Sequence, residues 1–308
     1  MTTNHALGDK AASQLANVTK TAPQWSAITP RWLVRFLDWK PLEAGILRVN
    51  QVTDKPVAVA CALKEERSVP QTFVDYEEKP REHTLSQIST VLEVHTRVSD
   101  LFSNPFDQIK EQLRLGVEQV KEQQENELIN SDDYGLLTNV PKSQRIKSRT
   151  GSPTPDDFDE LISKVWKEPS FFLAHPRTIA AFGRECTRRG VPPATVTIFG
   201  SPFLTWRGLP IVPCDKLHVG GEIEPSGAGG KTSVLLLRVG EKKQGVVGLY
   251  QPGLPGEQTP GLSVRFMGIN KQSLASYLIS LYCSAAILTK DAIAALEDVE
   301  VGNYYDYK

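Results

Sequence analysis

The sequence predicts an α+β fold in which scattered strands surround one long helix. Three observations carry that prediction. Phe106, Ile109, Leu113, Val117, Val120 and Leu128 recur at helical spacing among Gln, Glu, Lys and Arg. Gln272 to Thr289 runs 18 residues without a charge. At period two it puts Tyr277, Ile279, Leu281, Cys283, Ala285 and Ile287 on one face, and Ser276, Ser280, Tyr282 and Ser284 on the other. Leu278, Ala286 and Leu288 are misfits there, and serines at every fourth place also fit a helix; the strand is the preferred reading. Lastly, 22 glycines and 21 prolines punctuate short apolar runs, which excludes coiled coil and wholesale disorder. At 308 residues and 40% hydrophobic, the chain can bury a sizeable core, with about two domains as the prior.

The elements follow in order. Residues 1–24 read as polar and weakly structured. Up to Lys40 the segment carries Lys10, Lys20, Arg31, Arg35 and Lys40 against Asp9 and Asp38. It ends in an apolar patch of Trp25, Trp32, Leu33, Phe36, Leu37 and Trp39, which must dock on its own core or on a neighbour. Gly45–Val52 and Val57–Leu63 read as strands around a Thr53-Asp54-Lys55-Pro56 turn. Glu65–Glu82, with Pro70 and Pro80, reads as a long exposed excursion, and Ile88–Val98 as a returning strand.

Asn104 as N-cap and Pro105 at the first position open the long helix, about 24 residues and near 36 Å, a spine. Thr154-Pro155-Asp156-Asp157 opens a second helix with a box-like Thr154/Asp157 pair. A third starts near His175-Pro176 and stops at Gly190. Strands are expected at 203–213, 233–239 and 245–250. Thr289 is expected to cap a short terminal helix through Leu296.

Much chemistry is excluded. Lysine plus arginine is 35 against 36 acids, a net charge of −1, which disfavours a dedicated nucleic-acid binder. Cys61, Cys186, Cys214 and Cys283 form no C-x-x-C pair and are too few for a disulfide scaffold. Met1–Leu15 has no signal-peptide core, and the serine-rich 272–289 run is too short and polar to span a bilayer; a reducing cytoplasm is the expected compartment. Gly229-Gly230-Lys231-Thr232 resembles the end of a phosphate loop, but Pro225 stands where the first glycine is needed and a strand follows. His175 reads as a helix-start residue, and His95 as a satisfied strand histidine. Asp156 and Asp157 suit a helix N-terminus better than an acid/base pair. Arg184, Arg188 and Arg189 could lower the Cys186 pKa, though a half-buried helical thiol is the simpler reading. No convincing active site emerges.

The order of parts resembles the tailed-phage major capsid protein fold (Hong Kong phage type). Its detail resembles the second family of encapsulins, in the branch without a cyclic-nucleotide-binding insert. The matching stretches include Ile28-Thr29-Pro30-Arg31-Trp32-Leu33, Pro41-Leu42-Glu43-Ala44-Gly45, His95-Thr96-Arg97-Val98-Ser99-Asp100-Leu101 and Pro153-Thr154-Pro155-Asp156-Asp157. Lys164-Val165-Trp166-Lys167, Ala181-Phe182-Gly183-Arg184-Glu185, Gly245-Val246-Val247-Gly248-Leu249 and Pro260-Gly261-Leu262-Ser263-Val264-Arg265-Phe266 complete them.

The resemblance implies a non-enzymatic shell protein, an icosahedral homo-oligomer of sixty subunits in the cytoplasm. It implies a cysteine desulfurase as cargo, with pyridoxal phosphate only in that enzyme, and a role in sulfur metabolism and storage. Neither nucleic acid nor membrane is expected as a partner. Residues 1–42 resemble an N-terminal arm with Trp25, Trp32 and Trp39 as candidate inter-subunit anchors. Residues 43–88 resemble an extended loop with flanking strands, 89–133 and 268–308 a peripheral domain with C-terminal tail, and 134–267 an axial domain. Gly190, Val191, Pro192, Pro193, Ala194 and Thr195 form the candidate five-fold pore loop, with Gly220–Gly230 as second choice. The alternative is a prophage major capsid protein packaging DNA, which the short arm and the charge disfavour. A soluble enzyme using Cys186 or the Gly227–Thr232 loop is a third reading.

Overall fold

The computed structural model describes residues 25–53, 56–60, 70–95, 108–221 and 229–304. The chain opens with a short helix α1 (Trp32–Phe36), then β1 (Trp39–Pro41), β2 (Ile46–Val49), β3 (Arg81–Thr84) and β4 (Ser86–His95). The spine α2 (Gln108–Asn130) follows, with β5 (Arg145–Lys147), α3 (Pro155–Lys164), β6 (Phe171–Ala174) and α4 (Pro176–Arg188). Next come β7 (Ala194–Ile198), β8 (Ser201–Trp206), β9 (Leu209–Pro213), β10 (Lys231–Leu237) and β11 (Val246–Tyr250). The last strands are β12 (Glu257–Thr259), β13 (Leu262–Ile269), β14 (Leu274–Ile287) and β15 (Ile293–Glu300).

Both capped helix starts form as expected. Thr154 and Asp157 exchange the reciprocal bonds of a capping box at α3, with Pro155 at its first turn. At α4, His175 Nδ1 accepts from the Arg177 N–H, so this histidine is a cap. The spine has 23 residues, about 35 Å; Asn104 and Pro105 lie outside the described residues.

β14 is a 14-residue strand, so period two prevails over the serine stripe. It pairs antiparallel with β4, β11 and β13. The spine lies across one face of this sheet. Val117 and Val120 pack there on Ile279, Leu281 and Cys283, with Ile88, Leu92 and Leu262 alongside. Gly116 permits the close approach: a Cβ there would come within 2.9 Å of Ile279 Cδ1. Two of the three apolar misfits also resolve, because Ala286 and Leu288 join Leu42, Val247 and Leu249 in a separate apolar cluster.

The second sheet runs β5-β15-β10-β6-β9-β8-β7. Its central strands are buried on both faces, and alternate residues divide cleanly. Phe172, Val234, Leu236, Ala294 and Leu296 meet α3 and α4 through Phe158, Leu161 and Phe182. Phe171, Leu235, Leu237, Ile293 and Ala295 meet α1 and the end of the spine through Leu33, Leu128 and Ile129.

Several expectations are corrected. The terminal helix from Thr289 to Leu296 is instead a 3-10 turn, Lys290–Ala292, followed by β15. Ile293 to Leu296 are all fully buried, and β10 and β5 flank them as strand partners. Gly45–Val52 does not pair with Val57–Leu63: β2 pairs with β3, and 57–60 form no strand, while 61–63 lie outside the described residues. The exposed excursion therefore ends in a strand at Arg81–Thr84. The 203–213 run is a hairpin turning at Arg207-Gly208, both with positive φ. β11, β12 and β13 join β14 and β4 within one sheet, and β15 crosses into the other to pair with β10. Hydrogen-bond partners, and not chain order, decide the grouping.

Candidate functional site

Among the described residues, the features left for function are surfaces: a docked arm, a projecting ribbon, a hairpin beyond α4 and one open sheet edge.

The arm is clasped by three carboxylates on successive turns of the spine, Glu118, Glu122 and Glu125. Glu122 accepts from the Thr29 N–H at 2.8 Å, and also from the Thr29 hydroxyl and Arg31. It also pairs with Lys216 at 3.0 Å, while Arg31 reaches Glu118 at 2.6 Å. Burial pushes the Glu122 carboxyl up, but the Thr29 and Lys216 bonds outweigh it and hold it below the usual range. Glu125 accepts the Leu33 N–H at 3.0 Å. It is 1% exposed, and burial pushes its carboxyl up to about 7 despite that bond. This clasp was missed from sequence. Its signal is the stretch between Val120 and Leu128, which has no apolar residue and carries Glu122, Glu125 and Glu127.

The three candidate anchors separate. Trp32 is buried on the chain's own core, edge-on to Phe203. Trp39 is half-buried over Gly248, with its indole N–H donated to the Val34 carbonyl. Trp25 alone of the three is exposed, at 54%. The patch thus docks chiefly on its own chain.

The ribbon formed by β2, β3 and the segment between them presents Ile46, Val52, Val59, Phe73, Val74 and Tyr76 to solvent. Phe73 is 82% exposed, a position that an isolated chain has no means of stabilising. A second apolar surface lies on β13. Phe266, Met267 and Ile269 are exposed, and β12 covers only the first residues of that strand's outer edge. Unpaired strand edges of this kind invite strand addition.

The candidate pore segment follows α4. Gly190 takes a positive φ as the helix ends, and the Val191 N–H returns to the Cys186 carbonyl. Pro192 and Pro193 continue as loop. Ala194 and Thr195 already belong to β7, paired with Thr205 and Leu204. The stretch to Pro202 is thus a hairpin turning at Phe199-Gly200, with Val191, Val196 and Phe199 exposed.

The residues suspected of reactivity are placed out of reach. Cys186 is fully buried, and burial pushes its thiol up to about 11 in spite of Arg189. Desolvation outweighs the nearby arginines, in line with the simpler reading of a helical structural thiol, which is fully buried where half-burial was expected. Burial likewise pushes Cys214 up, and Cys283 up to about 12. Cys61 lies outside the described residues. Glu125, Cys214 and Asp215 present ligand atoms within 4.8 Å of one another. The Lys216 ammonium, 2.9 Å from Asp215 and bound to Glu122, already supplies the positive charge there. Gly229 and Gly230 lead directly into β10, so a strand and not a helix follows them; 222–228 are outside the described residues. No described helix is long and apolar enough to cross a membrane.

Comparison with known proteins gives a consistent result. Residues 43–303 match the family model "Type 2A encapsulin shell protein SrpI-like". The chain is 64% identical over 304 residues to the Type 2A encapsulin shell protein SrpI of Synechococcus elongatus, covering 98% of this chain and 97% of that one. It is 58% identical over 309 residues to a Type 2A encapsulin shell protein of Mycolicibacterium paratuberculosis, covering 99% and 98%. Its structure resembles the holo-SrpI encapsulin complex from Synechococcus elongatus, with a TM-score of 0.84 and 62% identity over 99% of this chain and 100% of that one. Capsids of a native GTA particle and of Mycobacterium phage Bobi share the fold at TM-scores of 0.62 and 0.59, with 12% and 11% identity. The fold is therefore the tailed-phage capsid type anticipated above.

Proposed function

This chain belongs to the Type 2A encapsulin shell protein family, and on that premise we propose that sixty copies close into an icosahedral shell around a cargo enzyme. Its role is structural. The observation that carries the proposal is the full-length match, which includes the arm, the projecting ribbon and the tail alongside the core. Closed symmetry lets one subunit use different surfaces at its five-, three- and two-fold contacts. The exposed ribbon and the open β13 edge suit such contacts, and Trp25 suits an arm that laces onto a neighbour. Gly190, Val191, Pro192 and Pro193, with the start of β7, are assigned to the five-fold pore.

The cargo is proposed to be a cysteine desulfurase, which brings its own pyridoxal phosphate and ties the compartment to sulfur metabolism and storage in the cytoplasm. Likeness to phage capsids at 12% identity and below speaks for fold alone, so DNA packaging gains no support from it.

Co-expression with a cysteine desulfurase tests the cargo. Particles isolated by sedimentation are expected to carry the enzyme and bound pyridoxal phosphate, and no nuclease-protected nucleic acid. Protected nucleic acid without enzyme supports the DNA capsid instead. Empty particles beside free desulfurase overturn the cargo assignment and leave the shell intact.

A further inference from the structure

Two buried polar atoms without hydrogen-bond partners, and a tyrosine hydroxyl whose one neighbour is the Ser86 hydroxyl, gather at the root of the ribbon. They are His83 Nε2 on β3, Tyr134 Oη on the turn after the spine, and Ser284 Oγ on β14. Buried polar atoms are normally satisfied, and each orphan costs about 1–3 kcal/mol. His83 and Tyr134 line two adjoining clefts of about 220 and 180 Å³, and Ser284 lines the smaller.

The location gives this joint mechanical meaning. β2 and β3 form a two-stranded sheet of their own. A ribbon of that kind is marginal unless it is seated on something. Leu85 alone separates β3 from β4, and its N–H bonds the Gly45 carbonyl at 3.1 Å where the other strand enters. The seat consists of Leu47 and Leu85 on the Leu42, Val247, Leu249 and Ala286 cluster, the Gln51 bond to the Leu288 carbonyl, and the His83 joint.

We propose that His83 is a proton-operated latch: neutral, it seats the ribbon root against Tyr134 and Ser284, and protonated, it leaves its cleft and frees the ribbon to swing about Leu85. A neutral imidazole leaves Nε2 merely unpartnered. An imidazolium places a charged N–H there that only the neutral Tyr134 and Ser284 hydroxyls of the same clefts could accept, and burial away from water penalises that charge. Four charged groups surround the ring. Arg81 and Glu82 flank it on its own strand, Asp133 faces it from the turn after the spine, and Lys290 from the turn before β15. Glu82 is held by Arg48 at 2.8 Å, and Arg81 and Lys290 oppose a third positive charge. Burial first, and Arg81 second, hold His83 below the ordinary histidine value. The seated state thus prefers the neutral ring. Its stability is complete above about pH 6.5 and is lost as pH falls through the lower, seated value.

Hydrogen exchange on the intact protein tests the latch, whatever its oligomeric state. After correction for the chemical rate, peptides covering Ile46–Val49 and Arg81–Leu85 should exchange roughly tenfold faster near pH 5 than near pH 7.5. His83→Gln should show no acid response. An acid response in His83→Gln equal to the wild type's, or none in the wild type, overturns the proposal. Slow C2–H exchange of His83 in the wild type is independent of the variant's folding: a midpoint at or above about 6.5 also overturns it.

Discussion

Glu125 is a carboxylate that the fold places under strain. It is 1% exposed at the centre of the arm clasp, and burial lifts it to about 7 from an ordinary 4.5. Between those values the folded chain binds a proton that the unfolded chain has released, so stability falls as pH rises through that window. Above about pH 7 the penalty is complete, roughly 3 kcal/mol at about 1.4 kcal/mol per unit. Glu125→Gln keeps an acceptor for the Leu33 N–H and removes the charge. Its melting temperature should match wild type near pH 4 and exceed it near pH 8, as thermal unfolding at both would record. Equal gains at both pH values would sink this account of the residue. Its neighbour Glu122 does not share the problem, because Thr29, Arg31 and Lys216 meet it. The sequence could not separate the two: both are spine glutamates, and only the fold brings a cation to one and an amide to the other.

Within the arm, β1 is held to its sheet by a close contact. β1 lies parallel to β11, and the Trp39 ring sits over Gly248 so tightly that a Cβ there would meet ring carbons at 2.7 Å. Gly248→Ala should lift β1 from β11 and cost about 1–3 kcal/mol, as overpacking does. Tryptophan emission should shift to the red and unfolding occur at lower temperature; unchanged emission and melting would mean that the arm is held elsewhere. Such contacts are invisible in sequence, whereas local signals are not. The helices after Thr154 and His175 were legible because cap, proline and apolar stripe coincide within a few residues. The β15 strand was not. Ile293-Ala294-Ala295-Leu296 is an unbroken apolar run of good helix formers, and only β10 and β5, distant in the chain, make it a strand. β15 completes a sheet begun some 150 residues earlier, at Arg145–Lys147.

For the whole molecule, the apolar surface left uncovered is the clearest trait. Phe73, Tyr76, Phe266, Met267 and Ile269 are each more than half exposed, on a ribbon and a strand edge. The family resemblance was legible from dispersed stretches along the chain, and the relatives match it over nearly its full length. The candidate pore segment was legible only as an interruption by glycine and proline. Its hairpin form comes from pairing with β8, whose strand was expected but whose partner was not. Self-assembly is the central claim, and negative-stain electron microscopy of this chain expressed alone, after size exclusion, tests it most directly. Uniform hollow particles of roughly 20–30 nm are the expected result, consistent with closed point-group symmetry. A monomer of 34.1 kDa, or a small oligomer of it, would contradict the account.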